Sequence, residues 1–84
     1  MTYSVELKPR ATKDLCRIPR AQGTRIADAL DDLADGLKGD VKRLTDFTPE
    51  YGLRVGDYRV LFEVEENSRI VVYRIRHRRE AYRT

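Results

Sequence analysis

Tyr51-Gly-Leu-Arg-Val-Gly-Asp-Tyr-Arg-Val-Leu-Phe-Glu-Val64 is the stretch whose reading decides the fold. Tyr51, Leu53 and Val55 alternate with Gly52 and Arg54; Tyr58, Val60, Phe62 and Val64 alternate with Arg59, Leu61 and Glu63. A period of two with apolar side chains on one phase marks a half-buried strand. Gly56-Asp57 between the two runs is a two-residue hairpin turn. Pairing across that turn sets Val55 opposite Tyr58 and Arg54 opposite Arg59. Residues so paired share a face, with Cβ atoms about 4.5–5.5 Å apart. Two guanidinium groups held that close repel unless an anion lies between them, and phosphate is the anion that suits them. The competing structural reading pairs them with Glu63 or Glu80.

Working outward, Glu65–Arg69 reads as a second turn and Ile70–Ile75 as a strongly β-prone strand. Upstream, Leu44–Phe47 is expected as a short strand closed by Thr48-Pro49. Near the start, Tyr3, Val5 and Leu7 alternate as in a strand. Pro9 suits the first turn of a helix, where its missing N–H is not needed. Ala11, Leu15 and Ile18 make one apolar stripe on that helix, which Pro19 ends or re-aims. A second helix is predicted from about Thr24 to Leu37, with Ile26, Leu30, Leu33 and Leu37 buried and Asp28, Asp31, Asp32 and Asp35 on the opposite face. The order β-α-α-β-β-β predicts an α+β fold: a helical hairpin packed on one face of a small, mostly antiparallel sheet, in a single domain over residues 1–84.

Composition narrows the class. With 40% hydrophobic and 37% charged residues, the chain is globular and not disordered. It has no apolar run of the roughly 18–20 residues that span a bilayer. The start Met1-Thr2-Tyr3-Ser4 lacks the features of a signal peptide, so a cytoplasmic protein without a membrane partner is expected. A single cysteine, Cys16, excludes an internal disulfide and is expected to be buried or half-buried on the first helix. One histidine and no Cys/His cluster leave no expectation of a metal or cofactor. The net charge is only +3, but it is distributed unevenly. Residues 28–40 carry five aspartates against one Lys38, whereas residues 69–84 carry six arginines against Glu80, a net +5. Such a basic end suits a phosphate-rich partner. His77 and Tyr82 interleave with Arg74, Arg76, Arg78, Arg79 and Arg83, the mixture of rings and cations that unpaired nucleotides favour. The predicted RNA contacts are therefore Arg54, Arg59, Arg74, Arg76, Arg79 and Arg83.

The hairpin Arg54-Val-Gly-Asp-Tyr-Arg59 and the ending His77-Arg-Arg-Glu-Ala-Tyr82 resemble the C-terminal half of toxins of the RelE/ParE superfamily. A strand followed by an Ala-x-x-Asp-Leu helix, Ala11–Leu15, is similar to their N-terminal half, so the resemblance covers nearly the whole chain. It implies the toxin of a type II toxin–antitoxin pair, bound by a cognate antitoxin, that enters the ribosomal A site and cuts mRNA without metal. The implied reaction is attack of a ribose 2′-hydroxyl on the adjacent phosphorus with expulsion of the 5′-oxygen. Carried over by position, Arg59 would stabilise the transition-state charge, Arg78 would assist the leaving group, and Tyr82 would stack on or orient the nucleotide. Two lysines expected in such ribonucleases on the first hairpin strand are here Gly52 and Arg54. Arginine, with a reference pKa of about 12.5–13.8, is a poor base, so Arg54 is suited to hold phosphate. His77, with a reference value of about 6.5, is then the expected proton carrier. Two alternatives stay open: a ParE-like toxin that poisons DNA gyrase without catalysis, and an inactive member that only binds its antitoxin.

Overall fold

A computed structural model describes residues 2–44 and 49–77. The elements are β1 (Ser4–Leu7), α1 (Pro9–Arg17), α2 (Arg20–Ala34), β2 (Asp40–Arg43), β3 (Tyr51–Val55), β4 (Tyr58–Glu65) and β5 (Arg69–His77). The predicted order β-α-α-β-β-β and the α+β class are those of the structure. The five strands form one sheet in the order β1-β5-β4-β3-β2. Strands β2 to β5 are an antiparallel meander, and β1 joins the far edge parallel to β5. Among the described residues no helix is long and apolar enough to cross a membrane.

One face of the sheet is covered by both helices. Ala11 of α1 and Ile26, Leu30 and Leu33 of α2 form a single buried cluster with Leu53, Val60, Phe62, Ile70, Val72 and Ile75. Burial of such side chains stabilises by roughly 1.5–3 kcal/mol each, which is what holds a sheet this small against two short helices. The odd phase of β3 and the even phase of β4 therefore point inward, as their alternation predicts. The opposite face carries the arginines.

Several boundaries differ from the sequence prediction. Helix α2 begins at Arg20, directly after Pro19, because a proline whose φ is −53° leads into a helix as readily as it ends one. It ends at Ala34, where Gly36 and Leu37 turn left-handed with φ of 109° and 61°, and the Leu37 N–H donates to the Leu33 carbonyl at 2.7 Å. A strand not expected from the sequence stands at Asp40–Arg43, directly ahead of the one expected at Leu44–Phe47. As a mostly exposed edge strand it has one inward apolar residue, Val41, too few for alternation to reveal it. Residues 45–47 of the expected strand, and Thr48 of its closing turn, lie outside the described residues. Cys16, expected inside, is exposed. It falls beside the Ala11–Leu15–Ile18 stripe, about 100° around the helix from Leu15.

Candidate nucleic-acid interface

The register builds the site. Arg54 of β3 pairs with Arg59 of β4, and Arg59 pairs in turn with Arg76 of β5. Three arginines thus stand in one row across three adjacent strands, on the face away from the helices. The row ends on β2 at Asp40, the partner of Arg54. The Arg54–Arg59 half of the row follows from the hairpin turn, where Gly56 adopts φ 59°.

Arg76 reaches this face because of a bulge. The β4–β5 register runs Arg59 to Arg76, Val60 to Ile75 and Leu61 to Arg74, then jumps to Phe62 opposite Val72. Tyr73 is the extra residue. Below it Ile70 and Val72 face the core; above it Ile75 does. Unbroken alternation from Ile70 would have sent Arg74 and Arg76 into the core. The Nε of Arg76 is buried and has no hydrogen-bond partner. A buried donor left in that state costs about 1–3 kcal/mol, which an arriving anion would recover.

Arg74 has another task. β1 ends at Leu7, paired with Val72, and among the described residues no strand lies beside the outer edge of β5 beyond that point. Helix α1 covers that edge, and Asp14 occupies it. Its carboxylate accepts from Arg74 Nε at 2.8 Å, from Arg74 Nη2 at 3.2 Å and from the Ile75 N–H at 3.0 Å. Partial burial opposes ionisation of Asp14, but these hydrogen bonds and the charges of Arg74 and Arg76 outweigh it and hold the carboxyl below its ordinary range. Arg74, predicted as an RNA contact, is thus tied to α1. The Asp of the Ala-x-x-Asp-Leu helix closes a sheet edge, a role that spacing alone does not reveal.

Around Arg54 and Arg59 a hollow of about 90 Å3 is lined by Asp40, Lys42, Gly52, Arg54 and Arg59. Lys42 lies opposite Gly52 on β2. A Cβ at Gly52 would come within 2.9 Å of Leu44 Cδ1 and 3.2 Å of Arg59 Cδ, so the stem of Arg59 lies over the glycine. Glu63, the structural partner considered for the arginines, accepts the Glu50 N–H at 3.1 Å. His77 is not brought to this hollow. It pairs with Tyr58, the two rings meeting edge to face at 5.4 Å. It borders a separate hollow of about 280 Å3 along the β5 edge, with Asp14, Arg17, Tyr58, Arg74 and Arg76. Arg78, Arg79, Glu80, Tyr82 and Arg83 lie outside the described residues. Asp40 and Lys42 were missed because no strand was read at Asp40–Arg43, and nothing in local periodicity distinguishes them.

The comparisons agree with this geometry. A family model described as the ParE toxin of the type II toxin–antitoxin system parDE matches residues 5–82. The protein named as toxin RelE1 in Methanocaldococcus jannaschii is 32% identical over 84 residues, covering 95% of this chain and 93% of its own. The chain belongs to the RelE/ParE family of type II toxins. Its RelE-like fold recurs in the archaeal RelE–RelB complex of Pyrococcus horikoshii, with a TM-score of 0.77 and 29% identity over 93% of this chain and 97% of that one. The toxin–antitoxin complex RelBE2 of Mycobacterium tuberculosis has the same fold, with a TM-score of 0.79 at 24% identity, covering 92% and 99%. In RelE/ParE terms, the arginine row lies on the hairpin and last strand, where the resemblance was read, and the Ala11–Leu15 signature is the helix that closes the sheet.

Proposed function

We propose that this toxin is a metal-independent endoribonuclease that cleaves mRNA in the ribosomal A site. The observation that carries the reading is the row Arg54–Arg59–Arg76, three cations in direct register on the open face of the sheet. In the reaction a ribose 2′-oxygen attacks phosphorus and negative charge builds on the equatorial phosphoryl oxygens. Preorganised donors aimed at such charge are worth about 10²–10³ in rate apiece. Arg59, central in the row and braced over Gly52, is placed on that charge in this reading. Arg54 and Arg76 hold the flanking backbone. From the family resemblance Arg78 assists the leaving oxygen, Tyr82 stacks on the nucleotide, and Arg79 and Arg83 add backbone contacts. Arg74 contributes its field while bound to Asp14.

A cognate antitoxin is the second partner. The relatives of Pyrococcus horikoshii and Mycobacterium tuberculosis were solved as complexes with their antitoxins. A segment that folds across the cationic face would shield it from RNA.

One observation favours a second reading. The matching family model is that of ParE, and neither position 52 nor 54 carries a lysine. In that reading the toxin poisons DNA gyrase and cuts no RNA. Primer extension on mRNA after brief induction in bacterial cells separates the two. New 5′ ends inside codons support cleavage; DNA breaks without such ends support gyrase poisoning and sink the ribonuclease reading.

A further inference from the structure

The arginine row contains one carboxylate. Asp40 is the first residue of β2 and stands opposite Arg54, so the order across four strands is Asp40, Arg54, Arg59, Arg76. It is exposed, and it borders the 90 Å3 hollow together with Lys42, Gly52, Arg54 and Arg59. We propose that Asp40 is the proton acceptor of the cleavage reaction, taking the 2′-hydroxyl proton of a ribose whose 3′-phosphate rests on Arg59, with Arg54 on the flanking backbone. The proposal rests on the ribonuclease reading above.

Two arguments lead to Asp40. The first is protonation. A general base must be unprotonated and within hydrogen-bond reach of the proton it takes. Arginine and lysine side chains, with reference values of about 12.5–13.8 and 10.4, are cations at neutral pH, whereas an aspartate, near 3.9, is in its accepting form. Among the described side chains that border the hollow, only Asp40 is an acid. The second argument is space. Position 52, from which a base on β3 would project, is closed by the stem of Arg59 and by Leu44. Among the described residues the neighbouring strand supplies the acid, and Asp40 is in line with Arg54 and Arg59. His77 borders the other hollow, beside Tyr58.

The step balances without a co-reactant. Asp40 takes the 2′-hydroxyl proton as the 2′-oxygen forms its bond to phosphorus. The bond from phosphorus to the 5′-oxygen breaks, and that oxygen leaves with the electron pair and takes a proton from water. Asp40 then returns its proton to solvent. The products are a 2′,3′-cyclic phosphate and a 5′-hydroxyl end.

The bland role for Asp40 is to neutralise Arg54, and the two roles predict opposite results for Asp40→Asn. A neutraliser, once removed, leaves a more cationic face: RNA binds more tightly and the saturating cleavage rate is unchanged or higher. A base, once removed, leaves binding as strong or stronger while the saturating rate falls about 100-fold or more. The experiment is single-turnover cleavage of mRNA on programmed ribosomes by wild type, D40N and D40E, with melting temperatures to confirm the fold. The expected result is a fall in rate for D40N without a rise in KM, and partial recovery in D40E, which restores a carboxylate one methylene farther out. A D40N rate at saturation equal to wild type, in a folded protein, overturns the assignment while leaving the ribonuclease reading intact. Wild-type toxin that leaves the message uncut overturns both.

Discussion

Replacing Asp14 by alanine tests the account of how the sheet edge is closed, independently of what the face binds. The carboxylate receives three hydrogen bonds, two from Arg74 and one from the Ile75 N–H, at 2.8–3.2 Å. Hydrogen bonds to charged groups contribute about 1.5–3 kcal/mol when buried. Here the side chains of Asp14 and Arg74 are 15% and 29% exposed, so water can take over part of the guanidinium. The Ile75 N–H gains less from water beneath a helix. A combined loss of about 2–3 kcal/mol follows, and at about 4–8 °C per kcal/mol for a domain of this size the melting temperature should fall by about 8–24 °C. Asp14→Asn keeps one acceptor oxygen but loses the second and the charge, and should fall between wild type and Asp14→Ala. The pH dependence has a definite sign. The folded carboxyl titrates below its ordinary value of 3.8, so its stabilisation is present above that value and is lost as pH falls through the folded one. The gap between wild type and Asp14→Asn should therefore narrow below about pH 3.8. Thermal melts by circular dichroism at neutral and acidic pH measure both effects. An Asp14→Ala protein that melts with wild type, or a gap that widens in acid, would refute the reasoning.

Three further outcomes are expected. Arg59→Ala should lower the cleavage rate by about 10²–10³ while costing about 1 kcal/mol or less in stability, since its guanidinium lies on the open face; equal cleavage, or a collapse of the fold, removes it from the chemistry. Binding of single-stranded RNA should weaken with salt at a log–log slope of about −2 for three arginine contacts, and Arg76→Ala should flatten it by about 0.7; a constant indifferent to salt would point to a protein ligand instead. Gly39→Ala should destabilise by about 1–3 kcal/mol, because Gly39 has φ 124° and its added Cβ would lie 2.8 Å from Leu53 Cδ1; an unshifted urea midpoint would contradict this.

What could be read from the chain depended on how local the cause was. The β3–β4 hairpin and the Arg54–Arg59 pair were legible because a two-residue turn sets register by itself. Helix α2 was legible through its apolar stripe, but its ends were not, since Pro19 suits both the end of one helix and the approach to the next. Strand β2 was not legible because an edge strand with one inward residue is defined by its partner, β3, and not by its own pattern. Asp14 carried a family signature without a visible reason, since its partners on β5 lie 60 and 61 residues away. Asp40 and Lys42 were unreadable for the same cause as β2.

The bulge at Tyr73 shows why the candidate site could be only half inferred. Arg74 and Arg76 sit on the phase of β5 that, counted from Ile70 and Val72, belongs to the core. Composition groups them with Arg59 without assigning them a face, and alternation, applied strictly, sends both to the core. Shifting a strand by one residue exchanges its two faces, and a bulge performs that shift inside a single strand. Here it lets β5 supply Ile70 and Val72 to the core at one end, and Ile75 to the core with Arg76 to the open face at the other. The same extra residue falls where β1 stops and α1 takes over the sheet edge, so the change of phase and the change of neighbour occur together. Asp14 then accepts from the first two residues beyond the bulge, Arg74 and Ile75, and so pins the shifted register from outside. Arg76 is the next residue along. Its place in the row beside Arg59 thus depends on a carboxylate on the other side of the sheet edge, and this contact couples the helix-covered half of the fold to its cationic face.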